Sequence, residues 1–331
     1  MSNSSGKILV TGGAGYIGSH TCKALSRRGF TPVVLDNLDN GYREAVRWGP
    51  LESGNLLEPR SLASAFERHE FRAVVHFAAY AYVEESVRDP ALYYRNNVVG
   101  SMNLLDAMRR AGVESIVFSS TCAIYGVPSR MPINEDEIRN PINPYGRSKL
   151  MIEQLLDDYS GSYGLRACSL RYFNAAGADP EGEIGESHDP EPHLIPNVLS
   201  AGAGRGRRLK VYGNDYPTPD GTCVRDFVHV ADLAEAHCLA LEFLADNPGS
   251  HAFNLGSEQG YSVMEVIRTA ETELGLIVPY DLAPRRPGDP PVLVADSLRA
   301  ERELRWVRRH SGIAEILRTA WQWEKLRAES A

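Results

Sequence analysis

The sequence is poor in cysteine, and its cysteines are not arranged to act together. Its 331 residues contain five: Cys22, Cys122, Cys168, Cys223 and Cys238. The number is odd, the positions are scattered, and no two form a C-x-x-C pair. This argues against a disulfide frame or a cysteine zinc site and fits a reducing compartment. No metal is expected. No run of Lys and Arg lies near either end, and the formal net charge is -8. Nucleic acid and anionic membrane are therefore set aside as main partners. A local cluster of Arg still suits an anionic small substrate. There is no apolar run long enough to span a bilayer and no signal-peptide core ahead of Lys7, so a cytoplasmic location is expected. Internal repeats and long low-complexity tracts are also missing. The balance of 43% hydrophobic to 24% charged residues is that of a chain that buries a sizeable core without staples.

What is present is alternation. Ile8–Val10, Val33–Leu35, Val74–Phe77 and Ile116–Ser119 read as buried strands, and Ala167–Tyr172 as a further one. Helical patterns such as Gly18–Arg28 and Asn97–Ala111 lie between them. The fold class is α/β: a Rossmann-like, doubly wound parallel sheet with helices on both faces. After Asn174 the character changes. Residues 175–222 are rich in Gly, Pro and charge, with a helical interval near Ile195–Ala203. Asp226–Val230 and Ala252–Leu255 read as strands around a helix at Ala231–Leu244, and Gly312–Leu326 has helical spacing. The expected layout is a dinucleotide-binding domain over 1–175, return segments near 222–260, and a smaller mixed α/β C-terminal substrate domain over 176–331.

Thr11-Gly12-Gly13-Ala14-Gly15-Tyr16-Ile17-Gly18 follows the first strand and opens a helix. Glycines permit the tight turn and let backbone N–H groups approach a pyrophosphate at the positive helix end. Tight turns need glycine anyway, so the context carries the argument: a strand before, a helix after, and an acid at the end of the next strand. That acid is Asp36. A carboxylate there accepts from a ribose hydroxyl and repels a 2′-phosphate, which favours NAD over NADP.

Asn143-Pro144-Tyr145-Gly146-Arg147-Ser148-Lys149 is the second anchor. Asn143 suits a helix cap and Pro144 the first turn. Tyr145 and Lys149, four apart, share one face. Y-x-x-x-K is common on helix surfaces as a solvated pair; the glycine motif and the strand ending Ser119-Ser120-Thr121 favour a catalytic role here. A free phenol ionises near 10, so a nearby ammonium and a nicotinamide cation are expected to pull Tyr145 down towards neutrality.

Several stretches then match a known pattern. T-G-G-A-G-Y-I-G-S-H, H-F-A-A, F-S-S-T-C-A-I-Y-G, P-Y-G-R-S-K, L-R-Y-F-N, G-N-D-Y-P-T-P-D-G-T-C-V-R-D-F-V-H-V and R-R-P-G-D resemble the extended short-chain dehydrogenase/reductase superfamily and, within it, the UDP-glucose 4-epimerase family. The resemblance implies that Tyr145 takes the proton from a sugar 4-hydroxyl while Thr121 hydrogen-bonds the same oxygen. Lys149 holds the nicotinamide ribose. The C4 hydride passes to tightly held NAD and returns to the opposite face of the 4-keto sugar, so UDP-glucose and UDP-galactose interconvert with no net redox change. The implied cofactor contacts are Gly12, Gly15, Tyr16, Ile17, Gly18, Asp36, Asn37, Asn55, Leu56, Phe77, Ala78, Ala79, Asn96, Ser119, Tyr145, Lys149 and Phe173. The implied substrate contacts are Thr121, Asn174, His193, Leu194, Lys210, Tyr212, Arg225, Arg286, Asp289 and Leu293. Arg225 and Arg286 suit a diphosphate, which wants forked, permanently charged donors; a salt bridge to Asp226 or Asp289 is the plainer alternative for each. The resemblance also implies a homodimer through helices near Asn97–Ala111 and Ser148–Tyr163.

The sequence departs from the pattern at Asn55, where an adenine-binding Asp is usual, at Ala81, where some members carry Lys, and at Glu84, where Gly is common. Leu293 stands at the position that gates N-acetylated sugars, and its intermediate size leaves their acceptance open. Relatives that dehydrate sugars place an acid–base pair just after the Thr; here Thr121 is followed by Cys122-Ala123, with no carboxylate to eliminate water. Epimerases of UDP-xylose, UDP-arabinose or UDP-glucuronate are closer rivals. A plain dehydrogenase would release its reduced cofactor. A non-catalytic NAD sensor would have no need of Tyr145 and Lys149.

Overall fold

The apolar runs of the first half build one parallel sheet in the computed structural model, which describes residues 6–206, 208–286, 289–310 and 312–330. The strands are β1 (Lys7–Thr11), β2 (Thr31–Asp36), β3 (Leu51–Ser53), β4 (Phe71–His76), β5 (Ser115–Thr121) and β6 (Arg166–Tyr172). The chain then makes β7 (Asn174–Ala176), β8 (Leu209–Tyr212) and β9 (Val224–His229), and returns to the sheet at β10 (Ser250–Leu255). The seven-stranded order is β10-β6-β5-β4-β1-β2-β3. Between β1 and β4 the winding reverses, which opens a crevice beyond the strands' C-terminal ends, where such sheets hold ligands.

Alternation along each strand divides the core in two. Ile8, Val10, Val34, Val75, Val117 and Cys168 face one side; Leu9, Val33, Val74, Ile116 and Ala167 face the other. Two helices cover the first side, α1 (Tyr16–Arg27) and, much later, α8 (Val230–Asp246). On the second side lie α2 (Pro59–Arg68), α5 (Gly100–Ala111) and α6 (Pro144–Tyr163), beyond the short α3 (Val83–Arg88) and α4 (Pro90–Tyr93). Burial on both faces is why these strands read as continuous apolar runs.

A second, smaller layer gathers β7, β9, β11 (Gly260–Ser262) and β13 (Val292–Leu293) into one sheet, and β8 with β12 (Tyr280–Ala283) into another. The helices α7 (Leu194–Gly202), α9 (Val263–Leu274) and α11 (Ile313–Ser330) enclose its own core of Val198, Leu199, Val211, Val266, Ile267 and Leu317. The short α10 (Leu298–Glu303) leads to Trp306, which is buried in the first core.

The expected helix Asn97–Ala111 is interrupted: Tyr94–Val99 is one wide π turn that runs into α5. The π turn carries Asn97, a fully buried amide. Its Oδ1 accepts from Tyr80 N at 2.9 Å, and its Nδ2 donates to Tyr80 O and to Ser148 Oγ, both at 3.0 Å. Such turns gather at functional sites, and this one ties the segment after β4 to α6. The five cysteines are free thiols, four of them buried. Among the described residues no helix is long and apolar enough to cross a membrane.

Candidate active site

The glycine loop lies at the crevice between β1 and β4. Gly12 has φ +72°, and a Cβ there would meet Ala78 N, just beyond β4, at 2.6 Å. A Cβ on Gly18 would fall 2.3 Å from Gly12 O. These two glycines therefore serve close backbone packing. Gly15 differs: an added Cβ has one near neighbour, Gly12 O at 3.3 Å. Gly15 is the N-cap of α1, no side chain caps that end, and the first turn carries no acid. An uncapped, acid-free helix start beside bare glycine is a fit for a pyrophosphate.

Asp36 closes the loop from β2. Its Oδ2 accepts from Ala14 N at 3.0 Å and its Oδ1 from Leu38 N at 2.9 Å. Each oxygen keeps a lone pair for a ribose hydroxyl. Burial raises this carboxyl, against those two hydrogen bonds. Asn37 Nδ2 reaches Asp39 at 2.7 Å. Asn55 Oδ1 takes Leu57 N at 2.9 Å, and Leu56 O takes Asn103 Nδ2 at 2.9 Å. Phe77 stacks 4.6 Å from the His237 ring, with Ala78 and Ala79 half-buried after it. Ile17 packs against the first core. Tyr16 Oη donates to Gly177 O at 2.5 Å, joining the loop to the second layer. Asn96 Nδ2 donates to Asn97 Oδ1 at 3.0 Å.

Helix α6 brings the pair to the rim. Asn143 caps it by accepting from Gly146 N at 2.8 Å, and Pro144 fills the first turn. The Tyr145 hydroxyl comes close to Thr121, the last residue of β5. Lys149 Nζ donates to Ser119 O at 2.7 Å and lies 4.8 Å above the Phe118 ring and 6.0 Å from the Tyr145 ring centre. Burial pushes the Tyr145 phenol up to about 12, with Thr121 opposing. Burial also lowers Lys149 to about 7, with Glu153 pulling the other way. The expected fall of the Tyr145 pKa thus does not come from Lys149 alone. The ammonium is turned onto a backbone carbonyl, and desolvation outweighs it.

One turn beyond Lys149 on the same face stands Glu153, which belongs to none of the sequence motifs. It accepts from Ser120 Oγ at 2.6 Å and takes Arg171 in a fork at 3.0 and 2.7 Å. This buried clamp fixes α6 against β5 and β6 and so positions Tyr145 and Lys149. The i, i+4, i+8 spacing was its available signal. Tyr172 was missed as well. It ends β6 in register with Thr121, and its hydroxyl hydrogen-bonds Ser119 Oγ.

The second layer supplies the opposite wall. Arg225 lies on β9 and forms an ion pair with Asp289, the plainer expectation for this residue. Asp226 is not its partner. It is buried and accepts from Ser257, Glu258 and Ala295 backbone N–H groups. Arg286 stacks 4.0 Å over the Tyr212 ring, with Glu84 Oε1 3.8 Å from its Nε. That gives Glu84 a partner the sequence did not suggest. Pro287 and Gly288 of the R-R-P-G-D stretch lie outside the described residues. Lys210 is exposed on β8, opposite Asp281. Asn174 Nδ2 donates to Asp226 O at 2.8 Å. Leu293 faces Arg225 in register and packs, half-buried, against the cluster that holds Phe173. Leu194 begins α7. His193 precedes it, beside Glu186 and Glu191; burial lowers its pKa, but the two carboxylates outweigh this and hold it at about 10.

A doubly wound sheet with a glycine loop at its switch point and a Tyr/Lys pair on the adjoining rim defines a dinucleotide-dependent enzyme of the short-chain dehydrogenase type. Comparison with known proteins narrows this. Residues 8–256 match the model of the NAD dependent epimerase/dehydratase family. UDP-glucose 4-epimerases of Rhizobium leguminosarum bv. trifolii and Rhizobium meliloti are each 49% identical, over 96% and 97% of both chains respectively. The crystal structure of a UDP-glucose 4-epimerase from Brucella ovis in complex with NAD superposes with a TM-score of 0.93 at 53% identity, covering 96% of this chain and 97% of that one. One from Stenotrophomonas maltophila, with bound NAD and formylated UDP-arabinopyranose, gives 0.95 at 40% identity over 98% and 100%. The chain belongs to the NAD dependent epimerase/dehydratase family.

Proposed function

We propose that this protein interconverts UDP-glucose and UDP-galactose by inverting the sugar C4 centre with NAD as a retained cofactor. The observation that carries the reading is the composition of the rim. Thr121 and Tyr145 stand together beside Lys149, and the residues that follow, Cys122–Tyr125, form a tight turn without a carboxylate. Such a rim exchanges a proton at one oxygen and has no acid–base pair to expel water.

The glycine loop, Asp36 and Lys149 would hold the dinucleotide, which when bound supplies a hydride acceptor and donor at C4. Tyr145 takes the proton of the 4-hydroxyl and later returns it to the same oxygen. Thr121 shares that oxygen and orients it. A phenol held near 12 is a weak base, so charge arriving beside it must do the lowering. The positive nicotinamide ring and a protonated Lys149 have the right sign. Lys149, near 7, changes its own charge at working pH.

Arg225 and Arg286 suit the diphosphate. Arg225 would exchange its bond to Asp289 for, or share it with, a phosphate oxygen. Exposed Val99 and Met102 near the start of α5, with Met151 and Tyr163 on α6, support a homodimer through these helices. Free cysteines support a cytoplasmic setting.

Purified protein incubated with UDP-galactose and no added cofactor should yield UDP-glucose. No conversion, together with no NAD(H) in the denatured protein, removes the reading. A panel of UDP-N-acetylglucosamine, UDP-xylose and UDP-glucuronate defines what Leu293 admits.

A further inference from the structure

The loop before α7 holds a cluster of His and Glu side chains of which only His193 is among the implied substrate contacts. We propose that Glu186, His188, Glu191 and His193 bind a structural divalent transition-metal ion of the zinc class. One donor atom from each residue lies within 4.8 Å of all the others. His188 Nδ1 is 3.2 Å from Glu186 Oε1 and 3.5 Å from Glu191 Oε2. His193 Nδ1 is 2.6 Å from Glu186 Oε1 and 2.9 Å from Glu191 Oε1. A tetrahedral ion with bonds of about 2.0–2.1 Å sets its donors about 3.3 Å apart. The observed separations straddle that edge.

A second observation is independent of spacing. Glu186 is 7% exposed. Its Oε1 and His188 Nδ1 are buried and make no hydrogen bond, although they are neighbours. Buried polar atoms rarely go unsatisfied. Both lie at ion-pair distance from other members of the cluster without hydrogen-bond geometry, and a cation among the four donors would satisfy both. Two carboxylates neutralise a dication. Two imidazole nitrogens select the zinc class over Ca²⁺ or Mg²⁺, which take oxygen. The cysteines give no sign of a metal, and E-x-H-x-x-E-x-H contains none of them. The acidic group Asp179, Glu181 and Glu183 is different, because Lys23 Nζ already binds all three.

Four protein donors make the site closed and its role structural. The His188 ring meets Tyr16 edge-on at 6.4 Å and Tyr82 at 6.1 Å. Tyr16 opens α1 at the glycine loop. The ion would therefore hold residues 186–193 against the dinucleotide end of the first layer and set where α7 begins.

The test uses tag-free protein, stripped with a chelator and titrated with Co²⁺. One equivalent should bind, with the visible absorption of a tetrahedral N/O site, and Zn²⁺ should displace it. Zn²⁺ at about 100 times its Kd should raise Tm by about 4 °C. Glu186→Gln/His188→Gln should lose both signals; Glu191→Gln alone, a milder change, should weaken Co²⁺ binding at least tenfold. Failure of the wild-type chain to bind one equivalent, or an unchanged spectrum and Tm rise in the double variant, overturns the proposal in favour of a metal-free His–Glu cluster. These readouts need no UDP-sugar, so their failure leaves the epimerase reading intact.

Discussion

Lys149→Met exchanges a buried ammonium for an apolar chain of similar length, and it should strengthen the ligand-free fold while abolishing turnover. Burial holds Lys149 at about 7, against an ordinary 10.5. The gap of about 3.5 units, at about 1.4 kcal/mol each, is on the order of 5 kcal/mol. The group is depressed in the folded state, so between about pH 7 and 10.5 the unfolded chain binds the extra proton. Wild-type stability therefore rises with pH through that window, and the full cost is felt below it. Removing the ammonium should relieve about 5 kcal/mol near pH 6 and about 2 kcal/mol near pH 9. Against this stands the hydrogen bond to Ser119 O, about 1–2 kcal/mol at either pH, and, only while the ammonium is charged near pH 6, the position over Phe118, about 1 kcal/mol more. The net expectation is a gain of a few kcal/mol near pH 6 that shrinks towards zero near pH 9. Urea unfolding of nucleotide-stripped wild type and variant at both pH values measures it. A variant less stable near pH 6, or one whose gain is equal at the two values, refutes the argument from burial.

Tyr145→Phe should retain NAD and lose about 10²–10⁴-fold in turnover of UDP-galactose; full activity would take the phenol out of the chemistry. In Gly18→Ala the new methyl meets Gly12 O at 2.3 Å, so the loop must open, and protein-bound nucleotide measured after denaturation should fall sharply. Arg225→Lys keeps the charge but loses the fork that Asp289 and a diphosphate both use. KM for UDP-galactose should rise about tenfold or more with kcat less affected, and an unchanged KM would place the diphosphate elsewhere.

The doubly wound sheet was legible because its strands are buried on both faces, leaving unbroken apolar runs at β1, β2, β4, β5 and β6. β3 was not, being three residues that are not fully buried. Helix α2 buries only Leu62 and Ala65, too little pattern to read. The strands β8 and β12 pair across a long separation in sequence, and no local signal announces such a pairing. At the site, the glycine loop, Asp36, Tyr145 and Lys149 are visible because each sits in a fixed local context. Glu153 and Tyr172 act through partners on other strands, so only the assembled sheet displays them. The Arg225–Asp289 ion pair likewise depends on β9 meeting the loop before β13.

The return of the chain at β10 has a consequence for how the protein is made. Phe253 and Leu255 are fully buried on that strand, which lies along β6. A ribosome that has released the first six strands has not yet delivered the seventh. Until residue 255 emerges, β6 is an open edge beside a half-roofed core, because α8 is also late. Open edges of this kind invite pairing with other chains. Synthesis of the second layer is thus a period of exposure for the first, and no truncation ending at residue 175 escapes it.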